Sequence, residues 1–213
     1  LLEEEGIRTE KVVVRDDIAV EENDHTTGRR GVAGTVLVQK IASACADEGK
    51  SLKEVKAAAQ ETADNLRTMG FALSPCIIPA VGRPSFSLGE DEMELGTGIH
   101  GEAGVRRMKM ADACALAGEL VSHILADMPV KPGEEVCVMV NGMGSTPLME
   151  LYILYREVHE ALSGRGILIA KSYVGEYMTS LEMAGASVTV LKLDEKRKAY
   201  LNAPADAPGF RQF

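Results

Sequence analysis

The stretch VCVMVNGMGSTPLMELYILYREVHEALSGRGILIAKSYV, residues 136–174, decides the fold class. It opens on a short apolar run typical of a buried strand, which leads into a glycine-rich turn. A helical pattern follows, with Thr146 suited to the N-cap and Pro147 to the first helical position, and it ends at the glycines of SGRG. A second apolar strand covers residues 167–174. The order strand, helix, strand predicts an α/β layered domain.

Other segments extend this pattern. A helix is predicted over 32–46, and a second one begins at Ser51, whose capping box with Glu54 favours a helix to about Met69. The remaining predictions are a strand carrying Met93 and Leu95, a helix over 111–128 and a strand over 187–193. The proline-punctuated segment 75–84 and the two successive strands near the end favour a mixed β-sheet flanked by helices over a purely parallel one.

The first residues predict a domain organisation. LLEEEG indicates the end of a helix with a stop at Gly6, and the β-branched residues 12–14 indicate a strand. Such a unit cannot close a core by itself. We therefore interpret residues 1–28 as a remnant of a preceding α/β domain whose other parts lie upstream of Leu1, and residues 29–213 as a second α/β domain.

Composition excludes several classes of function. The chain has 213 residues, of which 46% are hydrophobic, and a net charge of −9. Aromatic residues make up 4% and tryptophan is absent. These values argue against nucleic-acid binding, which needs a basic field and stacking side chains. No apolar run is long enough for a membrane span, and the first residues lack a signal-peptide layout. We expect a cytoplasmic protein without membrane association.

The cysteines and histidines lack metal-site spacing, so no metal site is expected. Four cysteines lie far apart, each in an apolar run, and they are predicted to be free buried thiols: Cys45, Cys76, Cys114 and Cys137.

Two glycine-rich turns suggest ligand sites. GTGIHG, residues 96–101, matches the dinucleotide fingerprint of nucleotide-binding oxidoreductases, but EAGVRRMK intervenes before the next helical pattern begins. This context argues against that interpretation. NGMGSTP lacks the lysine of a P-loop. It favours a tight strand-to-helix connection, with anion binding at the helix N-terminus as the alternative.

His100 is the candidate functional histidine. Gly98 and Gly101 would let the backbone come close to a ligand, and Glu102 could orient or polarise the ring. A neutral imidazole can act as a base or a nucleophile near neutral pH. A histidine that merely occupies a turn is the alternative, and spacing alone leaves both open. Three further histidines are interpreted as surface or structural residues: His25, His123 and His159.

Four segments carry a family resemblance. GRRGVAGTVLVQKI, PSFSLGEDEMELGTGIHGEAG, NGMGSTPLMELYILY and GEYMTSLEMAGASVTVLKLD resemble, in matching order, the later part of the dihydroxyacetone kinase substrate-binding subunit. The resemblance implies a two-domain α/β subunit that forms a homodimer and captures dihydroxyacetone as a covalent hemiaminal. The capturing histidine of the GIHGE motif corresponds to His100. Addition of its imidazole to a carbonyl would select short ketones or aldehydes over polyols such as glycerol.

The resemblance also implies where the nucleotide binds. In the family, ATP, or a tightly held ADP recharged by a phosphotransferase-system protein, sits with Mg²⁺ on a separate helical subunit or domain. No nucleotide cofactor is therefore expected in this chain. The residues agree, since the sequence contains neither a P-loop nor a kinase glycine loop.

Two departures from the family pattern bear on activity. The segments GGGSGHEP and NYTGD, which supply a second histidine and an aspartate for acid/base chemistry, are expected upstream of Leu1, so this chain alone is predicted to be inactive as a kinase. GEAG replaces the usual GEPG and leaves His100 and Glu102 in place. A non-catalytic dihydroxyacetone-binding paralogue that co-activates a transcription regulator is the alternative.

Overall fold

The computed structural model describes residues 1–20, 28–102 and 104–213. The helices within these ranges are α1 (Gly34–Asp47), α2 (Leu52–Asp64), α3 (Ala113–Asp127), α4 (Leu148–Ser163) and α5 (Glu195–Asn202). The strands are β1 (Leu66–Ala72), β2 (Glu92–Leu95), β3 (Arg106–Lys109), β4 (Glu135–Gly142), β5 (Leu168–Gly175), β6 (Gly185–Lys192), β7 (Ala205–Ala207) and β8 (Phe210–Gln212).

Six strands form one sheet in the order β3-β2-β1-β6-β4-β5. β4 and β5 are parallel, and α4 makes the crossover between them. All other neighbours in the sheet are antiparallel. The predicted mixed sheet flanked by helices is thus confirmed. β7 and β8 form a separate small hairpin.

The sheet is the middle of three layers. Val138 on β4 packs into an apolar cluster with α3 and α4, whereas its neighbour Met139 packs into a cluster with α1, α2 and α5. Successive residues of a strand point to opposite faces, so the alternating burial of β4 fills both cores. A strand covered on both faces reads as a continuous apolar run, which is why β4 could be predicted.

The boundary between α2 and β1 differs from the prediction. The capping box is confirmed, because the Ser51 hydroxyl accepts from the Glu54 amide and the Glu54 carboxylate accepts from the Ser51 amide. The helix ends at Asp64, however, and its predicted extension to Met69 is wrong. Residues from Leu66 onward pair with β6 along the whole of β1, and this long-range pairing overrides the local helical pattern.

Three further elements were not predicted, namely β3, α5 and the β7–β8 hairpin. β3 is a mostly exposed, basic edge strand that lacks an apolar pattern. In α5, Tyr200 and Leu201 are the buried residues, and the rest of the helix is polar.

The N-terminal segment packs on the second core. Val12 and Val14 contact the α1–α2–α5 cluster. The predicted strand over 12–14 is wrong, since pairing is confined to a bridge between Asp17 and Thr68. Asp16 is fully buried and accepts hydrogen bonds of 2.8 Å from two amides at the start of α1. The assignment of residues 1–28 to a preceding domain stays a prediction.

The cysteine prediction holds for three positions. Cys45, Cys76 and Cys137 are buried free thiols, whereas Cys114 at the start of α3 is exposed, and its predicted burial is wrong. In the described part of the chain, no helix combines the length and apolar character needed to cross a membrane. Across residues 1–20, 28–102 and 104–213, no cluster of three or more His, Cys, Asp or Glu side chains could hold a metal ion.

Candidate functional site

The glycine-rich loop 96–105 joins β2 to β3 and is fixed at both ends. The amide of Gly96 donates to the carbonyl of Gly70 at 2.7 Å, and the amide of Val105 donates to the carbonyl of Leu95 at 2.8 Å. The loop leads into an antiparallel strand, whereas a dinucleotide fingerprint leads into a helix whose N-terminus faces the pyrophosphate. The oxidoreductase interpretation is therefore wrong.

His100 lies on this loop with its side chain 77% exposed. Its Nδ1 lies 3.2 Å from Oε1 of Glu102, and its backbone amide donates to Oε2 of the same carboxylate. No described residue hydrogen-bonds to Nε2. When Nδ1 carries the proton and donates it to the carboxylate, Nε2 keeps its lone pair. In that tautomer, the pair presents a ring nitrogen with a free lone pair to solvent.

Glu102 is held in its ionised form. Partial burial acts to raise the pKa of its carboxyl group. Hydrogen bonds from its own amide and from the His100 ring, together with the positive charge of Arg30, outweigh that effect and lower the pKa. The carboxylate therefore stays charged at neutral pH, where it can orient the ring.

Arg30 connects the loop to the protein interior. Its Nε and Nη2 lie 2.8 and 2.6 Å from Oδ2 of Asp17, and Nη2 also donates to the carbonyl of Gly96 at 2.9 Å. The Asp17 side chain is 3% exposed. Burial raises the pKa of Asp17, and the charge of Arg30 opposes that rise. An arginine fork paired to a buried carboxylate is a rigid support for the loop.

The glycines of the loop make room for protein side chains. A Cβ at Gly98 would lie 2.6 Å from Nη1 of Arg30 and closer still to Oε2 of Glu102. Gly101 has φ of +84°, and a Cβ there would lie 2.9 Å from Sγ of Cys76. Both positions thus require glycine for packing. Their predicted part in binding substrate stays a prediction.

The second glycine-rich turn lies close to the first. A Cβ at Gly70 would meet both Cε of Met143, at 2.8 Å, and the carbonyl of Thr97, at 3.2 Å. Thr146, predicted as the N-cap of α4, instead bridges the amide and carbonyl of Gly185, and the cap residue is Pro147 without a side-chain hydrogen bond. This arrangement agrees with the interpretation of a tight connection.

The structure brings together His100, Glu102 and Gly98, and Gly101 follows the histidine on the same loop. It adds Arg30 and Asp17, which the sequence did not single out for this site. His123 and His159 lie on α3 and α4 with about half of each side chain exposed, as predicted for surface residues. His25 lies outside the described residues.

A family model and the sequences of known proteins identify one family. The family model described as the Dak1 domain matches residues 1–209. The dihydroxyacetone-binding subunit of a PTS-dependent dihydroxyacetone kinase from Listeria innocua is 52% identical over 207 residues, which cover 97% of this chain and 63% of that protein. The D-erythrulose kinase of Mycolicibacterium smegmatis is 42% identical, over 99% of this chain and 36% of its own length.

Solved structures agree with the sequence comparison. A structure titled dihydroxyacetone kinase operon co-activator Dha-DhaQ superposes with a TM-score of 0.88 at 38% identity, covering 95% of this chain and 63% of that one. The dihydroxyacetone kinase of C. freundii gives 0.82 at 30% identity, covering 99% and 38%. The chain spans less than two thirds of the curated relatives that it matches. On its match over residues 1–209 and its identity to these relatives, the chain belongs to the Dak1 domain family.

Proposed function

We propose that this chain is the part of a dihydroxyacetone kinase substrate-binding subunit that captures dihydroxyacetone covalently on His100. The observation that carries the proposal is the His100–Glu102 pair on an exposed loop, with Nδ1 engaged by the carboxylate. Relatives whose names include dihydroxyacetone binding match over nearly the whole chain.

The chemistry is a carbonyl addition. Nε2 of His100 donates its lone pair to the ketone carbon, a C–N bond forms, and the carbonyl π electrons move to oxygen. Glu102 accepts the Nδ1 proton, the new alkoxide takes a proton from water, and Glu102 then gives its proton to the hydroxide so formed, which restores the carboxylate. The product is a neutral hemiaminal, with no atom lost. Glycerol has no carbonyl carbon to attack, so it forms no adduct.

Covalent capture has a clear advantage for so small a substrate. A triose offers few contacts, and a single bond to a fixed ring holds its hydroxyl groups in one orientation. The phosphoryl donor, ATP or ADP with Mg²⁺, is proposed to sit on a separate helical subunit or domain. This chain alone is expected to transfer no phosphoryl group.

The capture is tested by NMR with dihydroxyacetone labelled with ¹³C at the carbonyl carbon. We expect the ketone signal to be joined by a new, protein-dependent tetrahedral-carbon signal with wild-type protein and with His123→Ala, which removes a half-exposed histidine from α3. His100→Ala should abolish that signal. An adduct that persisted in His100→Ala would contradict the proposal.

A second candidate function is a non-catalytic dihydroxyacetone-binding protein that co-activates a transcription regulator. It is favoured by the superposition on the structure titled as an operon co-activator. The two candidates share the capture step and differ in acid/base chemistry. The sequence upstream of Leu1 separates them, because a kinase subunit needs the second histidine and the aspartate.

We propose a cytoplasmic homodimer as the assembly, in line with the family resemblance. Light scattering of the purified protein tests the dimer, and a monomeric mass at micromolar concentration would contradict it.

A further inference from the structure

We propose that Arg30 is a positioning residue for His100 that acts through Glu102, an inference that rests on the proposed function of His100. Arg30 lies 70 positions before the histidine in the chain. This role of Arg30 has a geometric part and an electrostatic part.

The geometric part is the way the guanidinium group is held. Its Nε and Nη2 are fixed on the buried Asp17, and Nη2 also holds the carbonyl of Gly96, where the loop begins. Nη1 and the Glu102 carboxylate both lie against the face of Gly98 where a side chain would project. Because Asp17 is buried and tied to β1 through its backbone bridge, the guanidinium has little freedom to move.

The electrostatic part links this charge to the imidazole. The positive charge of Arg30 attracts the Glu102 carboxylate and helps to keep it against Gly98, within reach of the ring. An ionised carboxylate accepts the Nδ1 proton of His100, and this selects the tautomer whose Nε2 has a free lone pair. A histidine held in the wrong tautomer loses most of its activity in other enzymes. Arg30 therefore sets the state of a ring that it does not touch.

The neighbouring Arg29 is a matched control. Its side chain is 19% exposed against 23% for Arg30, and it too pairs with an aspartate, Asp127 near the end of α3. Replacing either arginine removes a similarly buried guanidinium group that is paired with an aspartate. Only the replacement of Arg30 should change the ring of His100.

The first test measures the tautomer in the ligand-free protein. Histidine ¹⁵N shifts recorded at about pH 8 report which ring nitrogen is protonated. We expect wild-type protein and Arg29→Gln to hold the proton on Nδ1. In Arg30→Gln the tautomer ratio should shift about tenfold toward Nε2–H, and Arg30→Lys should recover most of it because the charge remains. A wild-type ratio in folded Arg30→Gln, or equal ratios in the lysine and glutamine variants, would overturn the proposal.

The second test measures capture of labelled dihydroxyacetone. Arg30→Gln should weaken adduct formation about tenfold in the wild-type background. In a protein that already carries Glu102→Gln, Arg30→Gln should cause little further loss, because the effects of two residues that act in series are not additive. Independent, additive losses would show that Arg30 does not act through Glu102. If wild-type protein forms no adduct, the proposed function fails, while the tautomer measurement still decides the role of Arg30.

A charge-balanced variant separates the effect of Arg30 on His100 from the effect of misfolding in both tests. Arg30→Gln leaves the buried Asp17 without its partner, which is costly. The double variant Arg30→Gln with Asp17→Asn removes both charges, so no unpaired charge is left buried. It should show the same tautomer shift as Arg30→Gln, and a wild-type tautomer ratio in it would overturn the proposal.

Discussion

Gly98→Ala tests whether the carboxylate of Glu102 must reach the ring of His100. The new Cβ would lie 2.6 Å from Nη1 of Arg30 and closer still to Oε2 of Glu102, so the carboxylate has to move by roughly 1 Å to restore normal contact. The bond from Nδ1 to Oε1 is already 3.2 Å long. A displacement of that size takes it out of hydrogen-bond range.

The loss of one charge-assisted hydrogen bond corresponds to about 1.5–3 kcal/mol, so capture should weaken by at least about tenfold. The assay is titration with carbonyl-labelled dihydroxyacetone followed by ¹³C NMR, with circular dichroism to confirm the fold. Gly118→Ala on α3 is the control, because its Cβ meets nothing within 4 Å, and it should capture normally. If Gly98→Ala captured as well as wild type, the orienting role of Glu102 would be refuted.

Two further predictions concern stability and its pH dependence. Hydrogen bonding to Arg29 lowers the pKa of Asp127, burial opposes this effect, and hydrogen bonding to Arg67 adds to it, so the pKa falls from 3.8 to about 2. With solvent screening, this shift corresponds to about 1 kcal/mol of stability. Because the pKa of Asp127 is lower in the folded state, this stability is present above about pH 4 and is lost as the pH falls toward 2. In urea unfolding, Asp127→Asn should therefore be less stable than wild type at pH 7, and this difference should vanish near pH 2. A difference that stayed constant with pH would contradict the pairing. Gly101→Ala should cost roughly 1–2 kcal/mol in thermal unfolding because of its positive φ and its contact with Cys76, and an unchanged melting temperature would argue against the loop geometry.

Local sequence signals explain what could be predicted of the fold. The β4–α4–β5 unit combines a buried strand, a turn and a strongly periodic helix within forty residues. Each part can therefore be predicted from its own residues. The capping box at Ser51 is equally local. β1 could not be separated from α2 in this way, because its strand character comes from pairing with β6 more than a hundred residues away.

The same distinction applies to the candidate site. Glu102 stands two residues after His100, so its partnership could be predicted from the motif. Arg30 reaches Gly96 across 66 residues, and its contact with Asp17 depends on where the N-terminal segment packs. In the sequence, Arg30 belongs to a short basic pair without any distinguishing context. Only the folded arrangement shows which of the two arginines faces the loop.

The most direct test of covalent capture by His100 is a coupling measurement on protein with ¹⁵N-labelled histidine and dihydroxyacetone labelled with ¹³C at the carbonyl carbon. A hemiaminal places these nuclei one bond apart. We expect a one-bond ¹³C–¹⁵N coupling between the substrate carbon and Nε2 of His100, and no such coupling with glycerol. Coupling to another histidine, or an adduct carbon without coupling to any ring nitrogen, would contradict it.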